Sequence, residues 1–184
     1  MGNVQEISPV ALISGITFAD ENSLNGAENA LIREYGPIEI QSPVFDFDMT
    51  DYYTAEMGRA LKKKFYCFQR PVEPDTLSDI KLFANGTELT LPPGDMEKPS
   101  RTVNIDPGYV TLAKLVLAST KDYSHRIYIG KGVFAEVTLR FIKGTFSTLE
   151  TTFPDYKTPL AIEFFNSARD FVKRNIKEWN QKKE

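Results

Sequence analysis

The feature that most constrains the fold is an apolar run, Val10–Phe18, followed at once by a segment with helical spacing. The run is rich in Ile, Val and Leu and leads into the polar residues 20–23, a pattern typical of a buried strand before a helix N-cap. Apolar residues then recur at three- and four-residue spacing as far as Tyr35. Gly36-Pro37 supplies a glycine C-cap and a residue that cannot continue a helix. The chain is therefore predicted to open with a strand and a helix.

Three further extended segments are predicted, at residues 38–47, 61–72 and 101–105. The first is broken near Pro43, because a proline has no N–H to donate and disfavours a central strand position. Together with the opening strand, these segments predict a four-stranded sheet.

The segment 74–91 fits two structures. Its apolar residues recur at helical spacing, whereas Asn85-Gly86 between alternating residues is also a hairpin signal. The helix is the favoured interpretation. Residues 92–100, which contain Pro-Pro-Gly, are predicted to form a loop.

Strand, helix, strand, strand, helix, strand is the order of a ferredoxin-like fold, in which four antiparallel strands carry two helices on one face. Farther along, the segments 125–129, 133–142 and 145–149 are linked by short glycine turns, which predicts hairpin strands that extend the sheet. After Thr158-Pro159 the apolar spacing predicts a long C-terminal helix. We therefore expect a single α+β domain over residues 1–184, with a ferredoxin-like βαββαβ antiparallel sheet.

Composition narrows the classes of partner. With 22 Lys+Arg against 25 Asp+Glu the net charge is −3, so no global positive field favours a nucleic-acid partner. The single cysteine, Cys67, lies in an apolar run and is predicted to belong to the core. The longest apolar runs are far shorter than the roughly 20 residues of a membrane helix, so we expect no membrane partner and a cytoplasmic location.

A first polar cluster follows the second predicted strand. Thr50, Tyr52, Tyr53 and Glu56 lie among several aspartates. Tyrosine rings can hold a base or a sugar, and carboxylates at a strand end can ligate Mg²⁺, which makes Mg²⁺ the candidate cofactor. The alternative is a turn in which an aspartate caps a short helix and the tyrosines fill the core.

A second polar cluster spans residues 104–126. Asp106-Pro107-Gly108 is a strong turn signal that would present Asn104, Asp106 and Tyr109 to a ligand, although a tight turn alone would also explain it. The same stretch carries the positive charge that a phosphate or carboxylate needs, on Lys114, Lys121, His125 and Arg126.

The chain has one histidine, His125, so any histidine-based acid–base step must use it. A structural role or contact with an anion is the alternative, and Glu56 is the second candidate for acid–base work. Glu136 alternates with apolar neighbours on a predicted strand and is placed to oppose Arg126. Asp106 and Glu136 are the candidate metal ligands. Lys81, Asn85 and Glu88 share one face of the helix predicted at 74–91, as a third wall of the site or as a solvated stripe.

No phosphate loop, dinucleotide fingerprint, nucleophile elbow or zinc spacing occurs in the chain. Three motifs nevertheless form a distinctive set: Phe45-x-Phe47-x-x-Thr50-x-Tyr52-Tyr53-x-x-Glu56-Met57-Gly58, Asn104-x-Asp106-Pro107-Gly108-Tyr109 and His125-Arg126-x-Tyr128. With Pro154-Asp155-Tyr156 they resemble the family catalogued as domain of unknown function 4416, found in bacteria and archaea. Some members of that family are labelled GTP-binding or GTP-binding regulatory proteins, so the resemblance implies nucleotide binding, GTP included.

Three functional hypotheses follow. The first is a protein, regulatory in role, that binds a nucleotide or another phosphorylated small molecule. The second is a metal-assisted hydrolase or transferase acting on a phosphorylated substrate. The third is a non-catalytic interaction module, for which a homo-oligomer or a retained complex is the expected sign.

Overall fold

One nine-stranded antiparallel sheet organises residues 7–91 and 101–181, which are the residues that the computed structural model describes. Its strands are β1 (Val10–Phe18), β2 (Ile38–Gln41), β3 (Phe45–Asp46), β4 (Lys62–Val72), β5 (Val103–Val110), β6 (Lys114–Ser119), β7 (Ile127–Gly130), β8 (Val133–Ile142) and β9 (Thr145–Thr148). The helices are α1 (Glu21–Tyr35), α2 (Thr54–Met57), α3 (Leu77–Thr90) and α4 (Pro159–Gln181), with 3₁₀ turns at Pro74–Thr76 and Pro154–Lys157. The loop predicted at 92–100 lies outside the described residues.

The strand order is β2-β4-β1-β5-β6-β8-β7, with β3 paired to β4 and β9 to β8. Every pair is antiparallel. The predicted α+β class, antiparallel sheet and long C-terminal helix are confirmed. Within the described part of the chain, no helix combines the length and the apolar character that crossing a membrane requires.

Local signals set the ends of α1. The Asp20 side chain accepts a hydrogen bond from the Ser23 backbone N–H at 2.9 Å, which caps the first turn. At the other end Gly36 has a φ of 89°, and its N–H donates to the Ile32 carbonyl. The segment 74–91 forms one 3₁₀ turn and then α3, so the helix, and not the hairpin, is confirmed.

Helices cover both faces of the sheet. On one face α1 and α3 enclose a core that includes Leu12, Ile16 and Phe68. On the other face α4 packs against a second core that includes Ile13 and Phe65. Because β1 contributes to both cores, its side chains are buried throughout, which explains the unbroken apolar run at this position.

The turn predicted at Asp106-Pro107-Gly108 is wrong, because β5 continues through it to Val110. β5 pairs with β1 along its whole length, with Ser14 opposite Pro107, and this long-range pairing outweighs the local turn signal. Pro107 is tolerated because β6 pairs with β5 only over Gly108–Val110, so the missing N–H interrupts no ladder on that side. β6 is a strand that the sequence pattern did not predict.

Gly108 lies where β5 and β6 approach each other most closely. A Cβ atom at this position would lie 2.2 Å from the backbone oxygen of Val116. Only glycine therefore allows the two strands to pair at this position. Gly108 is also the first residue of β5 that pairs with β6, and the strands separate on the side of Pro107.

Candidate functional site

A cavity of about 640 Å³ occupies the place where β5 and β6 separate. The two strands pair over Gly108–Val110 of β5 and Leu115–Leu117 of β6. Beyond this pairing, Asn104 and Asp106 of β5 and Ala118 and Ser119 of β6 line the cavity instead of pairing with each other. The other walls come from α3, from residues 47–56 around α2, and from residues 153–156 before α4. The cavity is therefore built by a break in the sheet.

Two side chains of α3 bind the free edge of β5. Lys81 Nζ donates to the Ile105 carbonyl at 2.8 Å, and Glu88 Oε1 accepts from the Ile105 N–H at 2.7 Å. Both side chains are buried. They take the place of a neighbouring strand, because buried backbone N–H and C=O groups need partners. The backbone N–H and C=O of Ile105 therefore have hydrogen-bond partners although β6 does not pair with β5 at this position.

A buried lysine between two carboxylates forms the innermost part of the cavity. Lys63 is 2% exposed, and its Nζ lies 2.7 Å from Asp155 Oδ2 and 3.4 Å from Asp106 Oδ2. Burial alone would lower the pKa of Lys63, but Asp155 and then Asp106 raise it above its ordinary value. Burial would likewise raise the pKa of Asp106, which Lys63 and Lys81 instead hold below its usual range. Lys63 and Asp106 are therefore both charged at neutral pH.

Gly15 of β1 makes room for this buried lysine. A Cβ atom on Gly15 would lie 2.8 Å from the Tyr156 hydroxyl and 2.9 Å from Lys63 Cε. In register, Gly15 stands opposite Asp106 on β5, so it provides space at the centre of the sheet rather than a turn.

Arg101 organises a second wall. Its guanidinium contacts Glu88 at 2.6 Å and Glu56 at 2.9 Å, and lies 5.6 Å from the Tyr53 ring centroid. Burial raises the pKa of Glu88, and the charges of Lys81 and Arg101 offset this only in part. Arg101 thus joins α2 to α3 across the cavity.

Arg126 organises the third wall. Its Nε donates to Glu136 Oε2 at 2.7 Å, so the pairing predicted for these two residues is present. His125 Nε2 lies 3.0 Å from the same oxygen. Arg126 also donates to the Ser119 hydroxyl at 2.9 Å and to the Lys121 carbonyl at 3.0 Å, which fixes the loop after β6.

The mouth of the cavity consists of exposed lining residues: Thr50, Tyr52, Thr120, Lys121 and Tyr123. Lys121 Nζ lies 3.8 Å from the Tyr52 ring centroid and donates a hydrogen bond to the Tyr52 hydroxyl. This contact connects the two polar clusters of the sequence, which are far apart along the chain.

Nine of the predicted site residues line this one cavity: Thr50, Tyr52, Tyr53, Glu56, Asn104, Asp106, Lys121, Arg126 and Glu136. His125 is not a lining residue, and it contacts the lining residues Glu136 and Tyr123. The structure does not bring Tyr109 and Lys114 to the cavity. Tyr109 packs beside Leu77 on the opposite face of the sheet, because strand side chains alternate, and Lys114 is exposed at the far end of β6.

Four lining residues had no part in the predicted site: Lys63, Arg101, Asp155 and Tyr156. Ser119 and Tyr123 also line the cavity, and they lie within the second polar cluster without having been predicted as site residues. For Lys63 a signal existed, since it shares the period-two side of Phe65 and Cys67, both buried. Lys81, Asn85 and Glu88 on α3 do line the cavity, which is the first of the two alternatives that their helical spacing allowed.

The two predicted metal ligands are held by cations. Asp106 contacts Lys63, and Glu136 contacts Arg126. In residues 7–91 and 101–181, no group of three or more His, Cys, Asp or Glu side chains is arranged to hold a metal ion.

Three hydrogen-bond donors remain without a partner at the cavity. Arg101 Nε and the Tyr156 hydroxyl are buried atoms that bond to no described residue, and the buried amide of Asn104, beside Asp106, has at least one N–H left without an acceptor. All three residues line the cavity. A buried polar group without a partner costs roughly 1–3 kcal/mol, so three together in one cavity are the chemistry expected of a site for a molecule with acceptor groups.

Comparisons with known proteins agree with these motifs. The model of a family described as "Domain of unknown function (DUF4416)" matches residues 8–171. Searches of curated proteins and of solved structures found no match.

Proposed function

The chain belongs to the DUF4416 family, and we propose that it binds a nucleotide, GTP included, or another phosphorylated small molecule in the cavity between β5 and β6. One observation carries the proposal: three buried donors without partners, on Arg101, Asn104 and Tyr156, line a single cavity of about 640 Å³. Pockets for small molecules typically measure about 300–1,000 Å³ and carry a few convergent polar groups.

Aromatic side chains support a ligand with a planar or sugar-like part. Tyr52 and Tyr123 line the mouth of the cavity, and Tyr53 lies beside Tyr52 with the ring centroids 5.0 Å apart. Aromatic rings stack on bases irrespective of base identity and also pack against sugars. Lys121 supplies an exposed ammonium group beside them for a phosphate.

Binding is favoured over turnover by the state of the two candidate acid–base residues. Glu56 is ion-paired with Arg101, and His125 is held by Glu136 behind the cavity wall. Among residues 7–91 and 101–181, neither side chain is hydrogen-bonded to a nucleophile. The regulatory role of the first hypothesis is kept as part of the proposal.

We also infer a ferredoxin-like core for the first half of the chain. The order β2-β4-β1-β5 and the position of α1 and α3 on one face support it.

A thermal-shift screen tests the proposed binding. Nucleotides and sugar phosphates are added with and without Mg²⁺. A ligand at 100 times its Kd adds about 2.7 kcal/mol to the free energy of unfolding, which raises the Tm of a domain of this size by roughly 5–10 °C. No shift with any compound would refute the proposal.

Two lysines of β6 and its following loop provide a matched pair of variants. Lys121→Gln removes the ammonium group at the mouth, and Lys114→Gln removes an exposed one away from the cavity. We expect Lys121→Gln to reduce the shift and Lys114→Gln to retain it. Equal effects of the two variants would assign the shift to non-specific charge.

A further inference from the structure

Charge is distributed unevenly through the cavity. All five lining carboxylates are ion-paired within the cavity: Glu56 and Glu88 with Arg101, Asp106 and Asp155 with Lys63, and Glu136 with Arg126. Lys81 and Lys121 are the two lining cations that form no ion pair with a described carboxylate. The position of these two lysines therefore decides where an anion can bind.

Lys81 and Lys121 differ in accessibility. Lys81 is buried, and its Nζ already donates to the Ile105 carbonyl on the edge of β5. Lys121 is exposed at the mouth, and its side-chain partner is the uncharged hydroxyl of Tyr52. Only Lys121 offers an ammonium group that an incoming anion can reach without breaking a buried contact.

The inner part of the cavity disfavours an anion. Apart from Lys121 and the half-exposed Glu56, the lining carries four cations, Lys63, Lys81, Arg101 and Arg126, against the four carboxylates Glu88, Asp106, Glu136 and Asp155. Its formal charge is therefore zero. A phosphate placed there would lose its hydration without meeting a net positive charge, and burying a charge without a partner is unfavourable.

The inner part instead suits an uncharged acceptor. Asn104 is 5% exposed and Tyr156 is 1% exposed, and each has a donor without a partner among the described residues, as does Arg101 at Nε. A carbonyl, ring nitrogen or hydroxyl oxygen accepts these hydrogen bonds without adding charge.

Resting on the proposed function, we infer that the ligand has a fixed polarity: its phosphate lies at the mouth against Lys121, and an uncharged, acceptor-rich nucleobase or sugar lies at the inner end against Asn104 and Tyr156. The phosphate replaces the Tyr52 hydroxyl as the partner of Lys121. The substrate class is therefore a molecule with a terminal phosphate and a neutral polar head.

A ligand-and-protein cycle tests this polarity. The probes are guanosine 5′-monophosphate against guanosine, and glucose 6-phosphate against glucose. The Kd of each phosphorylated probe is measured by calorimetry. The Kd of the corresponding unphosphorylated probe is measured by its competition with the phosphorylated one. For the pair that binds, we expect the phosphate to tighten binding about tenfold or more in the unaltered protein, because it forms a charge-assisted hydrogen bond.

Two variants separate the ends of the cavity. Lys121→Gln is expected to reduce the ratio of the two Kd values to near one while leaving the unphosphorylated probe unaffected. Tyr156→Phe removes a hydroxyl without a described partner and keeps the ring, so the fold is retained. Tyr156→Phe is expected to raise the Kd of the phosphorylated and the unphosphorylated probe by the same factor. Asn104→Leu is expected to have the same effect. Lys114→Gln is the control and should change neither.

The outcomes distinguish the two proposals. If the probes bind but the ratio is unchanged in Lys121→Gln, or is changed by Tyr156→Phe, the polarity is overturned and the binding function stands. If neither probe pair nor any compound of the thermal-shift screen binds, the function fails and the polarity fails with it.

Discussion

Replacing Lys63 by methionine is the sharpest test of the structure. Lys63 Nζ lies 2.7 Å from Asp155 and 3.4 Å from Asp106, and the side chain is almost fully buried. Methionine keeps the unbranched stem but removes the charge. The buried carboxylate of Asp155 and the partly buried carboxylate of Asp106 then remain without the cation that neutralises them.

The magnitude follows from this geometry. Removing one partner of a buried ion pair costs about 3–5 kcal/mol, because the remaining charge stays buried. Since two carboxylates lose one shared cation, we expect Lys63→Met to lower the free energy of unfolding by at least about 4 kcal/mol. The total stability of a domain is only about 5–15 kcal/mol, so we expect a large fraction of this variant to be unfolded.

A rescue variant keeps the test informative. Lys63→Met combined with Asp106→Asn and Asp155→Asn removes all three charges, and replacing a whole buried ion pair is often near neutral. We expect this triple variant to recover most of the loss. Lys62→Met is the matched control, because Lys62 is adjacent and exposed, and it should change stability by less than about 0.5 kcal/mol.

Urea unfolding at pH 7, followed by the fluorescence of the buried Trp179, measures these differences. A loss of stability below about 1 kcal/mol for Lys63→Met would refute the reasoning. A triple variant no more stable than Lys63→Met would also refute it, because the unpaired buried charge is the stated cause of the loss.

Three further predictions concern other parts of the molecule. The pKa of Lys63 is raised above its ordinary value of 10.5 in the folded protein. Its charge therefore stabilises the fold fully below pH 10.5, and this stabilisation is lost as the pH rises through the folded-state pKa. Urea unfolding should show that the stability advantage of the unaltered protein over the triple variant decreases above pH 10.5. Gly108→Ala should cost about 3 kcal/mol or more in calorimetry, since its Cβ meets the Val116 oxygen, whereas Gly86→Ala in α3, with open space around it, should gain about 0.5–1 kcal/mol. Burial raises the pKa of Cys67 to about 12, so a thiol reagent at pH 8 should react with the native protein far more slowly than with the urea-unfolded chain, and equal rates would contradict its burial.

The first part of the fold could be predicted because its signals are local. Asp20 and Gly36 mark the ends of α1 by backbone chemistry within one turn. The prediction failed at Pro107-Gly108, where local turn chemistry competes with eight register positions of pairing to β1. That pairing partner lies far away in the sequence, so a short-range pattern could not reveal it.

The site was predicted where polar residues cluster in sequence and missed where they cluster only in space. Tyr52 and Lys121 stand in two conspicuous polar stretches, and both line the cavity. Lys63 lies between two other lysines, a pattern typical of a solvated surface, and only its place on the period-two side of Phe65 marks it as buried. Its partner Asp155 comes from a distant turn that no periodicity connects to β4.

The ion pairs that line the cavity have a consequence for the entropy of binding. Long side chains that would otherwise sample many rotamers line the cavity: Lys63, Arg101, Arg126 and Glu136. Each is held in an ion pair with a neighbouring side chain before any molecule enters. Ordering such a side chain upon association costs about 0.5–1.5 kcal/mol each. The inner walls are therefore preorganised, and the conformational adjustment on binding is confined to the exposed pair Lys121 and Tyr52.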